Sequence, residues 1–428
     1  MVKAGLTNRR YGYPLCNQDK DGRQARPTSA QASVKTSAKQ PTQRETSPFA
    51  RLNSLLAGVE PGLPAINLTI GEPQHPVPPF VAPVMAANIA LFGRYPPIRG
   101  TDAFRQTIAA WLDTRYGLQA KIDPERMVLP LNGSREGLTL AGLSARQRRP
   151  DIARPVVLLP NPFYQAYAAG AEVAGAEIVL LGHGRDGSFP DLGDVDPDIL
   201  ARTVALYVAS PTAPQGDVAT LDDWTDVIET ARRHDFMVFA DECYSEIYRD
   251  APPPGVLQAA DRLGQGFANI LTFHSLSKRS NLPGLRCGFV AGDPDFLANW
   301  QRFRNVAAPQ VPGPIQAVAV AAYSDESHVA ENRALYNAKY DAALATLGPK
   351  VRATRPEGGF FLWLEVGDGV EAAERLWREA GVRTIPGAYL SLPLPDGSNP
   401  GTPYIRVAMV QDLASTQEAL TRMARVLG

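Results

Sequence analysis

The sequence predicts an α/β fold: a large domain with a mostly parallel sheet flanked by helices, joined to a smaller α+β domain. Three observations carry this. From about 99 to 293 short apolar runs alternate with amphipathic stretches, the pattern of repeated βαβ units. After Gln316 the alternation gives way to longer helical stretches and widely spaced strand patterns. A chain of 428 residues is also long enough to bury two cores.

Taken in order, the first 46 residues stand apart. They hold nine Lys and Arg against Asp19, Asp21 and Glu45, many Ser, Thr and Gln, and almost no large aliphatics. Such a stretch buries too little apolar surface to offset its ordering entropy, so residues 1–46 are expected to form a disordered basic tail. It has no apolar core of a secretory signal; the plain reading is a dispensable extension or a start codon assigned too early, with an Arg- and Ser-rich organellar transit peptide as the alternative. Further on, Val156-Val157-Leu158-Leu159, Val204-Ala205-Leu206-Tyr207-Val208, Met237-Val238-Phe239-Ala240 and Ile270-Leu271-Thr272-Phe273 read as buried strands. Trp224, Val227, Ile228 and Ala231 recur at i, i+3, i+4, i+7 behind the N-cap candidate Thr220, which predicts a helix with one apolar face. Past Gln316 come the strand patterns Gly359-Phe360-Phe361-Leu362-Trp363-Leu364 and Tyr404-Ile405-Arg406-Val407-Ala408-Met409-Val410. A terminal helix containing Leu420, Met423 and Leu427 closes the chain.

Composition removes several functions. A net charge of −1 gives no electrostatic reason to expect nucleic acid or an anionic membrane as partner. No apolar run reaches the roughly 18 to 20 residues of a membrane span. Three cysteines, Cys16, Cys243 and Cys287, are too few and too scattered for a disulfide framework or a zinc site, which predicts a reducing, cytoplasmic location and no metal.

In open sheets of this class ligands bind at the carboxyl ends of strands, and the chemistry-bearing residues fall there. Phe273-His274-Ser275-Leu276-Ser277-Lys278-Arg279-Ser280-Asn281-Leu282-Pro283-Gly284-Leu285-Arg286 places one amine between hydroxyls and a guanidinium. A lysine whose surroundings lower its pKa condenses with an aldehyde, and Ser275, Ser277 and Arg286 supply the fork that holds a phosphate dianion. An aldehyde cofactor bearing a phosphate suits that cluster; a surface lysine at a strand-to-loop junction is the plainer alternative. Asn132-Gly133-Ser134-Arg135-Glu136-Gly137 follows the apolar run 127–129 and opens a helical stretch, whose free N–H groups form an anion site. Read alone, such a Gly-Ser turn is more often only a helix cap. In Phe239-Ala240-Asp241-Glu242-Cys243-Tyr244 a strand ends in an acid that its apolar neighbours desolvate, so Asp241 either meets a cation or caps a helix.

The lysine run resembles the cofactor-lysine segment of fold-type I pyridoxal-phosphate aminotransferases, and within them N-succinyldiaminopimelate aminotransferases of lysine biosynthesis. The resemblance covers the chain from about Phe49 to Gly428 and implies pyridoxal 5'-phosphate on Lys278. Asp241 would then face the pyridine nitrogen and Tyr244 the phenolic oxygen, with Tyr164, in Pro162-Phe163-Tyr164, stacked on the ring. Gly133, Ser134, Arg135, Ser275, Ser277 and Arg286 would hold the phosphate. Arg94-Tyr95-Pro96-Pro97 resembles a segment whose tyrosine reaches the neighbouring subunit's phosphate, which implies a homodimer with shared active sites. Arg406 matches the arginine that grips the substrate α-carboxylate, and Ile70-Gly71-Glu72-Pro73 a loop beside it. The resemblance also adds 47–95 to the smaller domain, as an N-terminal arm, leaving 96–315 as the large cofactor-binding domain and 316–428 as the remainder.

One position departs from the pattern. Ser210-Pro211-Thr212-Ala213-Pro214-Gln215-Gly216 places Ala213 where the family has an asparagine that donates to the phenolic oxygen, and alanine cannot donate. The implied reaction moves an amino group from glutamate to N-succinyl-2-amino-6-oxopimelate, with Arg279 and Asn281 as candidates for substrate preference. Alternatives are an aspartate, aromatic or LL-diaminopimelate aminotransferase, a carbon–sulfur lyase, or a cofactor-binding regulatory protein without turnover.

Overall fold

A computed structural model describes residues 47–182, 189–348, 351, 353 and 355–428. The expected basic tail lies outside the described residues. Strand β1 (Ile66–Asn67) stands apart from the main sheet, which is built from β2 (Val128–Leu131), β3 (Val156–Pro160), β4 (Glu177–Leu181), β5 (Thr203–Ala209), β6 (Met237–Asp241), β7 (Ile270–Ser275) and β8 (Gly288–Gly292). The spatial order is β2-β8-β7-β6-β5-β3-β4, and β8 alone runs against its neighbours. The four apolar runs expected to be strands are β3, β5, β6 and β7.

The pleat sorts these runs onto two faces. Val156, Leu158, Leu206, Val208, Val238 and Ala240 point into one core, where Phe104, Ile108 and Leu112 and then Trp224, Val227, Ile228 and Ala231 cover them. Val157, Leu159, Tyr207, Met237, Phe239 and Phe273 point the other way, against Leu138, Ala141, Ala171 and Trp300. Burial of each such side chain stabilises the fold by about 1.5–3 kcal/mol, so both faces hold the sheet in place. The helix Leu221–His234 begins at Thr220 in a capping box with Asp223, as its sequence predicts. The helix Gly313–Ser324, which straddles the expected boundary at Gln316, buries Val318, Ala319, Ala322 and Tyr323 in the core of the large sheet.

The remaining strands are β9 (Phe361–Glu365), β10 (Val382–Arg383), β11 (Ile385–Pro386) and β12 (Tyr404–Ala408). They form an antiparallel sheet β11-β12-β9 and a parallel pair β1-β10. Leu68, Tyr340, Leu362, Leu364, Leu376, Ile405, Val407, Leu420 and Met423 share the core behind them. Early and late parts of the chain are thereby packed together. Among the described residues no helix is long and apolar enough to cross a membrane.

Candidate active site

Strands β2, β5, β6 and β7 run parallel, so their carboxyl ends open on the same edge of the sheet, and each ends in one of the motifs picked out above. At the end of β2, Gly133 takes φ +82° and caps the helix Ser134–Arg148. A Cβ built on Gly133 would lie 2.3 Å from the Arg286 guanidinium, so the glycine leaves the space that the arginine fills. Arg286 is itself exposed, and its partners among the described residues are main-chain oxygens, those of Pro283 at 2.8 Å and Asn132 at 3.5 Å. Across β7, the Ser275 hydroxyl lies 2.9 Å from that of Ser277 and accepts the Ser277 N–H. Hydroxyls, a guanidinium and a helix start make an anion cradle.

Asp241 closes β6 at 8% exposure. The Tyr167 hydroxyl donates to one carboxylate oxygen at 2.8 Å and the Cys243 N–H to the other at 3.2 Å. Burial raises the carboxyl pKa and these two donors oppose the rise. A carboxylate in such a place is matched by a cation opposite it.

Lys278 lies in the short helix Leu276–Arg279, and its Nζ donates to the Gly71 carbonyl at 2.5 Å. The amine stands 4.9 Å from the Phe360 ring centroid and 5.9 Å from that of Tyr244. Desolvation lowers its pKa to about 8; Arg406 pushes the same way, while Cys243, Asp241 and Glu72 oppose it. Arg406, on β12, donates to the Thr69 carbonyl at 2.7 Å and lies over the Phe361 ring at 4.4 Å, with its Nε buried and unpartnered among the described residues. Burial pulls its pKa down to about 10, which keeps it charged at neutral pH. A fork with a spare donor awaits an anion.

Most of the expected site residues therefore converge. The Tyr164 hydroxyl accepts from Arg135 Nε at 2.7 Å, so that guanidinium is tied to the tyrosine. Tyr244 packs on Phe360 and Phe361, and Ala213 borders the apolar cluster that contains them. Tyr95 does not join them: it follows the 3-10 turn Ile89–Gly93 and is 96% exposed. Arg279 and Asn281 are both buried and engaged within the protein: Arg279 bonds Ala322 O at 3.0 Å, pairs with Glu326 and lies over Tyr323, while Asn281 holds the carbonyls of His75 and Pro76. Sequence reasoning missed Tyr167, whose only local signal is its place in the same Tyr-x-x-Tyr stretch as Tyr164.

The residues fit a phosphorylated aldehyde cofactor: an amine readily made neutral, an anion cradle that a Cβ would fill, and a buried acid suited to a ring cation. The family model described as "Aminotransferase class I and II" matches residues 64–423. The LL-diaminopimelate aminotransferase of Moorella thermoacetica is 32% identical over 392 residues, which are 89% of this chain and 95% of that protein. The solved structure of an aminotransferase from Neisseria meningitidis superposes with a TM-score of 0.84 at 36% identity, over 89% of this chain and 97% of that one. A probable N-succinyldiaminopimelate aminotransferase from Thermus thermophilus gives 0.75 at 26%, over 89% and 100%. Enzymes of this family and fold work with pyridoxal 5'-phosphate, the cofactor that the site fits. Local motif, strand-end geometry and full-length similarity agree, and the chain belongs to the class I and II aminotransferases.

Proposed function

We propose that the protein transfers the amino group of glutamate to N-succinyl-2-amino-6-oxopimelate, in the diaminopimelate branch of lysine biosynthesis. The observation that carries amino transfer is the combination of a desolvated Lys278 amine with the spare, buried Nε donor of the half-buried Arg406. Arg406 would grip the α-carboxylate bidentately and so fix the substrate Cα near Lys278. Lys278, neutral in a large fraction near pH 8, would take the Cα proton and then release it on the far side of the substrate nitrogen, as base and then acid. The bound cofactor supplies the electron sink.

Other residues hold that arrangement. Asp241 would keep the ring nitrogen protonated, Tyr164 would stack on the ring, and Tyr244 would donate to the phenolic oxygen. Gly133, Ser134, Arg135, Ser275, Ser277 and Arg286 would bind the phosphate, with Tyr95 of one subunit reaching the phosphate of its partner in a homodimer. Gly71 would bring main chain close to both the lysine and the carboxylate. Ala213 offers no donor, which leaves the phenolic oxygen to Tyr244 or water.

The succinylated acceptor is supported by the resemblance of the Lys278 segment and by the Thermus neighbour's name. A second reading, transfer from LL-diaminopimelate, is favoured by the names of relatives from Moorella and Dehalococcoides at 30–32% identity. A panel of single half-reactions followed by absorbance decides between them. N-succinyl-LL-diaminopimelate and glutamate should convert the cofactor fastest; faster conversion by LL-diaminopimelate selects the second reading. Pyruvate release would indicate a lyase, and no change with any donor a regulatory protein.

A further inference from the structure

The loop that carries Gly71 is fastened from behind by a buried polar chain. His75 Nδ1 lies 2.6 Å from Asn332 Oδ1, and the Lys339 Nζ lies 2.7 Å from His75 Nε2. The roles in this chain are fixed by its ends. Asn332 Nδ2 donates to the carbonyls of Lys278 at 3.0 Å and Arg279 at 3.2 Å, so its Oδ1 is left to accept, and His75 must donate from Nδ1. Nε2 is then free to accept from the Lys339 ammonium, which also donates to Met409 O at 3.1 Å. The His75 ring packs on Tyr336 at 4.4 Å between centroids. Asn332, Tyr336 and Lys339 follow i, i+4, i+7 on the helix Ser327–Leu347, so one helix face serves all three contacts.

The chain joins three parts of the site. Asn332 grips the main chain of the lysine turn, His75 belongs to the Gly71 loop, and Met409 follows β12, which carries Arg406. Asn281, three residues past Lys278, adds a second tie by donating to the carbonyls of His75 and Pro76. Lys339 is 2% exposed and Asn332 7%. Buried polar groups of this kind are costly unless satisfied, and here they are spent on a connection rather than on packing.

We propose that Asn332, His75 and Lys339 act as positioning residues that hold the Gly71 carbonyl against the Lys278 amine, so that one hydrogen bond governs how readily the lysine exchanges its proton. The proposal rests on Lys278 being the reactive lysine. Loss of the Gly71 acceptor removes a bond that is stronger to the charged amine than to the neutral one, so the ammonium becomes less stable and the lysine titrates at lower pH.

The test uses the full-length enzyme loaded with pyridoxamine phosphate, in which the lysine amine is free. Trace labelling with acetic anhydride over about pH 6 to 10, read by mass spectrometry, gives the midpoint of Lys278. His75→Ala and Asn332→Ala should each lower it by roughly one unit, the value of one hydrogen bond to a charged group, and the double variant should go no lower than either single. Should His75→Ala fail to fold, His75→Gln reads the same loss of the Asn332 contact while retaining an acceptor for Lys339. Midpoints within about 0.2 units of the parent's, with only the melting temperature reduced, would show a packing role and overturn the proposal. Because the readout is the amine's own titration, it is separable from the choice of substrate: a Lys278 that does not carry the cofactor would be revealed by peptide mapping, not by this shift.

Discussion

The Arg286 guanidinium occupies the place that a Cβ on Gly133 would need, with Nη2 2.3 Å from that position. Gly133 also holds φ +82°, a conformation that L side chains rarely adopt. Gly133→Ala therefore strains the turn and displaces the arginine. We expect cofactor affinity to fall by about 1.5–3 kcal/mol, the range for a hydrogen bond to a charged group, and equilibrium dialysis against pyridoxal phosphate checks it. Unchanged affinity would remove Arg286 from the phosphate site.

Lys278 should be the residue that borohydride reduction labels with cofactor. Mapping that places the label on another lysine refutes the mechanism. Burial depresses the lysine pKa to about 8, so the reactive amine is scarce below that pH and abundant above it. Cofactor uptake by the stripped protein should accelerate as pH rises through about 8 and then level, being roughly tenfold slower one unit below the midpoint than at the plateau.

Replacing Arg406 by lysine keeps a charge but loses the planar fork. The expected loss in kcat/KM for glutamate is about 1.5–3 kcal/mol. Steady-state kinetics that match the parent enzyme would mean that the carboxylate is held elsewhere.

Ala213 packs against the cluster containing Phe360 and Phe361, beside Tyr244. Ala213→Asn adds a donor there. A donor to the phenolic oxygen stabilises its ionised form, so the midpoint of the cofactor's absorbance titration should move to lower pH, and cofactor should bind tighter by about 0.5–1.5 kcal/mol. Identical midpoints would place residue 213 out of reach of that oxygen.

Parts of the molecule were legible for a local reason. β3, β5, β6 and β7 are predominantly apolar runs buried on both faces, and that pattern is visible within five residues. β8 has three apolar residues between Gly288 and Gly292, too few to distinguish from a turn. Lys278, Asp241 and the Gly133 turn sit in short motifs whose neighbours announce them. Tyr167 could not be found this way, since its partner Asp241 lies 74 positions along the chain. Asn332 and Lys339 look like the solvated face of a helix until the fold brings His75 onto them.

The parallel pairing of Ile66 with Val382 has a consequence for synthesis. A nascent chain displays β1 long before its partner exists, whereas the strands of the large sheet are all made by Gly292 and the helix Gly313–Ser324 completes their core soon after. The early segment must wait without joining a wrong edge, and a strand of two residues offers little for a stranger to pair with.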